Sequence, residues 1–147
     1  MLRLLFVVPF VLTCLTATAG PREDAFQVVE QFKKAFESAD VTGVVSLFAP
    51  DAVLLGTVSP KLTTTTEGIN EYFQGIKQLT PRTVVFGEHV AKVLSDDAVL
   101  FAGLDTFTVT RDSNIIERPA RFTILITKTG QGWRISHFHS SVRPKAP

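Results

Sequence analysis

Three things are scarce in this 147-residue sequence: charge of one dominant sign, cysteine, and long apolar runs beyond its first residues. Lys and Arg total 15 against 14 Asp and Glu. Without a cationic excess there is nothing to neutralise a phosphate backbone, so a nucleic-acid partner is excluded. The single cysteine, Cys14, rules out an intrachain disulfide. Stability must therefore come from a packed core, and a 45% apolar content is too high for a disordered chain. The length predicts one domain.

The first residues carry most of the excess hydrophobicity. Met1-Leu2-Arg3 leads into the apolar stretch from Leu4 to Leu12, and then into the small-residue run Ala17-Thr18-Ala19-Gly20. This is the charged start, apolar middle and A-x-A site of a secretory signal peptide, with cleavage expected after Ala19. The apolar run is shorter than the ~20 residues of a bilayer span and is interrupted by Pro9. The expectation is a signal peptide at 1–19 and one domain at 20–147, secreted or periplasmic, with no stable membrane anchor after cleavage. Cleavage would remove Arg3 and Cys14, leaving 14 basic and 14 acidic residues and no thiol in an oxidising compartment.

Pro21-Arg22-Glu23-Asp24 starts a helix, because proline suits the first turn and acids complement the positive end of the helix dipole. Phe26, Val29, Phe32 and Phe36 give it an apolar face. Asp40 is expected to cap a second helix running through Phe48, stopped by Ala49-Pro50-Asp51, with a short strand at 52–55. Thr64 or Thr66 is expected to cap a third helix with the stripe Ile69, Tyr72, Phe73 and Ile76. After Pro81 the period changes to two. In the first strand Val84, Phe86 and Val90 favour one face, Val85, Ala91 and Val93 the other. Clearer strands are expected at 99–110, 115–127 and 133–142, joined by turns at 111–114 and 128–132. Helices first and a meander afterwards predict an α+β fold, with three N-terminal helices on an antiparallel sheet long enough to curl into a cone around a pocket.

The segments Ala39-Asp40-Val41-Thr42-Gly43-Val44-Val45-Ser46-Leu47-Phe48-Ala49-Pro50-Asp51-Ala52-Val53-Leu54-Leu55 and Glu67-Gly68-Ile69-Asn70-Glu71-Tyr72-Phe73 resemble the helix-to-strand signature of the NTF2-like and SnoaL-like superfamily. Trp133-Arg134-Ile135-Ser136-His137-Phe138-His139-Ser140-Ser141-Val142-Arg143-Pro144 is similar to the last strand of the calcium/calmodulin-dependent protein kinase II association (hub) domain and its stand-alone relatives. The resemblance implies an NTF2-like cone with a strongly curved sheet, self-association into a homodimer or larger assembly through that sheet, and a deep pocket. It does not imply kinase activity, since the chain has no Gly-rich nucleotide loop, H-R-D or D-F-G. Calmodulin binding is not supported either, because no basic amphipathic helix is present. One departure is clear. Ser140 stands where the hub carries an arginine after H-F-H, and Ile124 falls near another such arginine, so the hub's acid-binding pocket is not carried over.

Among polar residues, Asp105 is in phase with Val99, Phe101, Phe107 and Val109, on the apolar face of its strand, where a lone carboxylate needs a partner. If the first hairpin pairs Arg111 with Ile115, Asp105 faces Arg121. If the second pairs Thr127 with Trp133, Arg121 faces His139. The row Asp105, Arg121, His139 is then either a buried structural ion pair with a packed histidine or a pocket wall, in which Arg121 orients an oxygen while His139 or Asp105 moves a proton. A one-residue register change would break the row. His137 and His139 share a face and His89 could add a third ligand, but no acid or cysteine completes a set, so no metal or other cofactor is expected. His137 is read chiefly as a packing residue, and Tyr72 as a core aromatic whose hydroxyl can reach the pocket.

The leading expectation is a non-catalytic, self-associating domain that binds a small organic ligand, with Arg121, Tyr72 and Ser140 as binding residues. The alternative is a SnoaL-like isomerase, cyclase or hydrolase with Asp105 or His139 as general base and Arg121 as electrostatic stabiliser.

Overall fold

The computed structural model describes residues 20–79 and 82–145. The expected signal peptide lies outside them. The first helix, α1, spans Pro21–Glu37 and buries Ala25, Val28, Val29, Phe32 and Phe36 on one face. At ~1.5–3 kcal/mol for each large apolar side chain fully removed from water, that face far outweighs the helix's own propensity. Glu37 holds α1 in place: it pairs with Lys33 at 2.9 Å and accepts the Val84 N–H at 3.2 Å.

The short α2 (Val41–Ser46) is capped as expected, with Asp40 accepting the Gly43 N–H at 2.8 Å. It stops earlier than the spacing predicts. Leu47 turns out of the helix and its carbonyl accepts the Ile135 N–H, so that Phe48 already opens β1 (Phe48–Leu55). Pro50 is tolerated within β1 because this is an edge strand, irregular between Phe48 and Val53. The cap of α3 (Thr66–Gln74) is neither Thr64 nor Thr66. Thr65 takes that role, accepting the Gly68 N–H at 3.1 Å, while Thr63 bridges Leu54 through two backbone hydrogen bonds. A 3-10 turn, Gly75–Gln78, follows.

Four long strands complete the chain: β2 (Arg82–Ser95), β3 (Ala98–Arg111), β4 (Asn114–Thr129) and β5 (Gly132–Val142). The sheet order is β1-β5-β4-β3-β2. β2 to β5 form the expected antiparallel meander, but β1 joins β5 in parallel, so the sheet is mixed. Irregularity between Phe86 and His89 explains the ambiguous pattern of β2. Before it Val84 and Phe86 pack on the helix side; beyond it Ala91 does, and Val90 is left exposed. Such interruptions bend strands, and the sheet curves around the helices, which leave its other face uncovered among the described residues.

Candidate functional site

The first hairpin decides where the polar residues go. Asp112 and Ser113 both have positive φ, 49° and 65°, and form a two-residue turn that pairs Arg111 with Asn114. The expected pairing of Arg111 with Ile115 is therefore off by one residue, and Asp105 faces Ala120, with Phe86 on its other side. The second hairpin pairs Thr129 with Gly132, and Ser136 is an extra residue between Ile135, opposite Ile126, and His137, opposite Leu125. Together these shifts dissolve the expected row. Arg121 is exposed on the outer face, its Nε donating to Ser141 Oγ at 3.2 Å, and His139 lies opposite Thr123 on that same face. Neither residue reaches the helix side where Asp105 sits.

His137 shares the outer face with His139. Burial and the neighbouring charge of His139 both push its pKa below the ordinary histidine value. His89 lies elsewhere, its ring stacked on Phe26 of α1 at 6.0 Å. The three histidines are not brought together, and no cluster suited to a metal occurs among the described residues.

Asp105 is 1% exposed, and neither carboxylate oxygen has a hydrogen-bond partner. Burial is the main cause of its raised pKa, pushed up to about 6; the polarity of its own backbone N–H and the charge of Arg143 oppose the rise. It does not line the main cavity; it sits one inner-face position deeper in β3 than Phe107, which does.

That cavity has a volume of about 270 Å³. Its apolar wall includes Phe32, Phe36, Phe73, Phe107 and Phe138. Phe32 is the common neighbour, with ring centroids 6.2, 5.9 and 5.2 Å from those of Phe36, Phe73 and Phe138. The polar wall contains Thr57, Tyr72, Arg111, Arg118 and Ser140. Thr57 Oγ1 donates to the buried Ser140 Oγ at 2.6 Å. Gly56 makes room for Tyr72, since a Cβ there would overlap the phenol ring. Burial raises the Tyr72 pKa; the Thr57–Val58 backbone and the Arg118 charge pull the other way.

Tyr72 and Ser140 are thus in the cavity wall, as the sequence suggested, and Arg121 is not. Arg111, Arg118 and Thr57 were missed. Arg118 was legible: it is in phase with Ala120, Phe122, Ile124 and Ile126, the buried positions of β4.

No curated protein matches the sequence. Among solved structures, a candidate calcium/calmodulin dependent protein kinase II association domain from Xanthomonas campestris is 29% identical, with a TM-score of 0.79 over 91% of this chain and 95% of that one. An NTF2-like superfamily protein from Salmonella enterica is 20% identical, with a TM-score of 0.76 over 86% and 94% of the two chains. A candidate scytalone dehydratase from Novosphingobium aromaticivorans shares the fold at 8% identity, with a TM-score of 0.75 and 83% of each chain covered. The SnoaL-like domain model matches residues 26–144, from the aromatic face of α1 to just past β5, and the chain belongs to that family, with an NTF2-like α+β fold.

Proposed function

We propose that this chain is an exported domain that self-associates and binds a small organic ligand in its cavity, without kinase activity. The observation that carries the ligand reading is the cavity itself: five phenylalanines surround space that the core leaves unfilled, and three hydroxyls and two arginines are the polar side chains in its lining. Apolar pockets with few convergent polar groups are the usual form of a small-molecule site, and about 270 Å³, just under the usual ~300–1,000 Å³, suits a small ligand.

Self-association is supported by the uncovered outer sheet face. Val85 and Val90 are 60% and 65% exposed there on the β2 edge, beside a row of β3 threonines, and Leu55 lies on the β1 edge at the other side of the sheet. Four strands, β2 to β5, about 4.8 Å apart and overlapping for about ten residues of ~3.3 Å, offer roughly 600 Å². That is the lower end of the ~600–1,000 Å² that each partner of a standard interface contributes. The X. campestris relative is described as an association domain, which fits this reading. Export rests on the pattern of residues 1–19.

Native mass spectrometry of the protein purified from its source tests all three parts. The expected species is a dimer or larger assembly that starts at Gly20 and carries a small organic molecule. An empty monomer retaining residues 1–19 would refute the reading.

The enzymatic alternative loses two of its three residues, since Arg121 and His139 face away from the cavity. Only Asp105 favours it, a proton-holding group within reach of neutral pH. Its burial behind the wall gives it no contact with cavity contents, and ligand binding is the better-supported function.

A further inference from the structure

The cavity is electrically lopsided. Its charged wall residues, Arg111 and Arg118, both lie on the inner face of the β3–β4 hairpin near its turn, and no Asp or Glu lines it among the described residues. Neither arginine has a carboxylate within 4.0 Å among those residues. Arg111 is exposed and Arg118 half-buried, so the two mark the solvent side of the cavity. The buried Ser140 and its partner Thr57 add hydroxyls to the polar wall, and the charge of Arg118 reaches the Tyr72 phenol. The deeper lining is aromatic, built around the fully buried Phe32, and Phe107 pairs directly with Arg118.

Resting on the ligand-binding reading above, we propose that the ligand is a small organic acid with one carboxylate and an apolar, preferably aromatic, body. The body enters first and packs among the phenylalanines. The carboxylate stays at the hairpin, accepting hydrogen bonds from Arg118, with Arg111 adding charge at the rim. A planar guanidinium suits a carboxylate because two parallel N–H groups match its two oxygens. A cationic ligand would meet like charge with no counter-ion in the wall, and a neutral one would leave Arg118 without a charged partner. If each non-hydrogen atom takes about the ~30 Å³ of a water molecule, the cavity holds on the order of nine. That is the size of benzoate.

Calorimetric titration of the purified protein with benzoate, benzamide and benzylamine tests the assignment, because the three differ mainly in head-group charge. Benzoate is expected to bind at least tenfold more tightly than benzamide, benzylamine not at all, and benzoate affinity to fall as salt is raised. Arg118→Gln should reduce benzoate to the level of benzamide, whereas Arg121→Gln, on the outer face, should leave it unchanged. Should Arg118→Gln fail to fold, Arg111→Gln and the salt series give the same reading. Equal affinities for benzoate and benzamide, or an unchanged benzoate affinity in the arginine variant, would overturn the acid assignment while leaving a small-ligand pocket in place. Failure of all three compounds to bind the folded protein would remove both.

Discussion

Replacing Asp105 by asparagine is expected to stabilise the protein at neutral pH and to lose that advantage in acid. The native carboxyl is almost fully buried, without hydrogen-bond partners, and its pKa is pushed up to about 6 from an ordinary 3.8. Between these values the folded chain holds a proton that the unfolded chain has released, so stability falls as pH rises through that window. Above about pH 6 both states are ionised and the native state carries the full cost of a buried charge. Two pKa units at 1.36 kcal/mol each put that cost on the order of 3 kcal/mol. The substituted asparagine would bring a pH-independent cost of its own for a buried amide. The quantity to read is therefore the difference in melting temperature between variant and wild type. It should move in favour of the variant by roughly 10 °C between pH 4 and pH 7.5, at a few degrees per kcal/mol for a domain of this size. A difference that stays constant with pH would mean that Asp105 is not a buried, unpaired carboxylate, and the reasoning would fail.

Three further outcomes follow from particular contacts. Phe32→Ala should cost about 3–5 kcal/mol in denaturant unfolding, because Phe32 is 1% exposed and its ring meets those of Phe36, Phe73 and Phe138; a loss below about 1 kcal/mol would contradict that packing. Gly56→Ala should push Tyr72 off the cavity wall, and since this is the chain's one tyrosine, an ultraviolet titration reads its phenol directly. Its raised pKa should drop toward the ordinary value of 10.0, and an unaltered titration would show that the ring had not moved. If copies associate through the outer sheet face, burying His137 further should favour its neutral form, so the assembly should weaken as pH falls through the already lowered pKa of His137, below the ordinary 6.5. Sedimentation equilibrium at pH 7.5 and 5.5 checks this, and equal association at both would count against a histidine-bearing interface.

The element order was readable because each signal had a strong local cause. The α1 stripe, Asp40 as a cap, the period-two strands and the turn at Asp112-Ser113 all have counterparts in the structure. What misled the reading was competition between local signals and pairing partners. Leu47 and Phe48 continue a helical pattern, yet the free edge of β5 draws that segment into parallel pairing. Thr64 has capping-box spacing with Glu67, but Thr63 is held to Leu54 and the cap moves to Thr65.

The same competition decided the site, and it points to a more reliable way of placing a charged residue. The row Asp105, Arg121, His139 was built from assumed hairpin lengths, in which one residue of error inverts every side chain beyond the turn. Strand parity carries no such propagation. In β4 the even positions Ala120, Phe122, Ile124 and Ile126 are buried, which by itself puts Arg121 outside and Arg118 inside. In β3 the odd positions Val99, Phe101 and Val109 put Asp105 inside. Parity fails only where a bulge interrupts the strand, as Ser136 does between Ile135 and His137. That insertion turns the histidines outward and sends Phe138 and Ser140 to the cavity. The cavity's polar wall is therefore set by two local features, a two-residue turn and one extra residue in β5. Were Ser136 paired as a regular strand residue instead of bulged, strict alternation from Ile135 would turn His137 and His139 toward the cavity in place of Phe138 and Ser140.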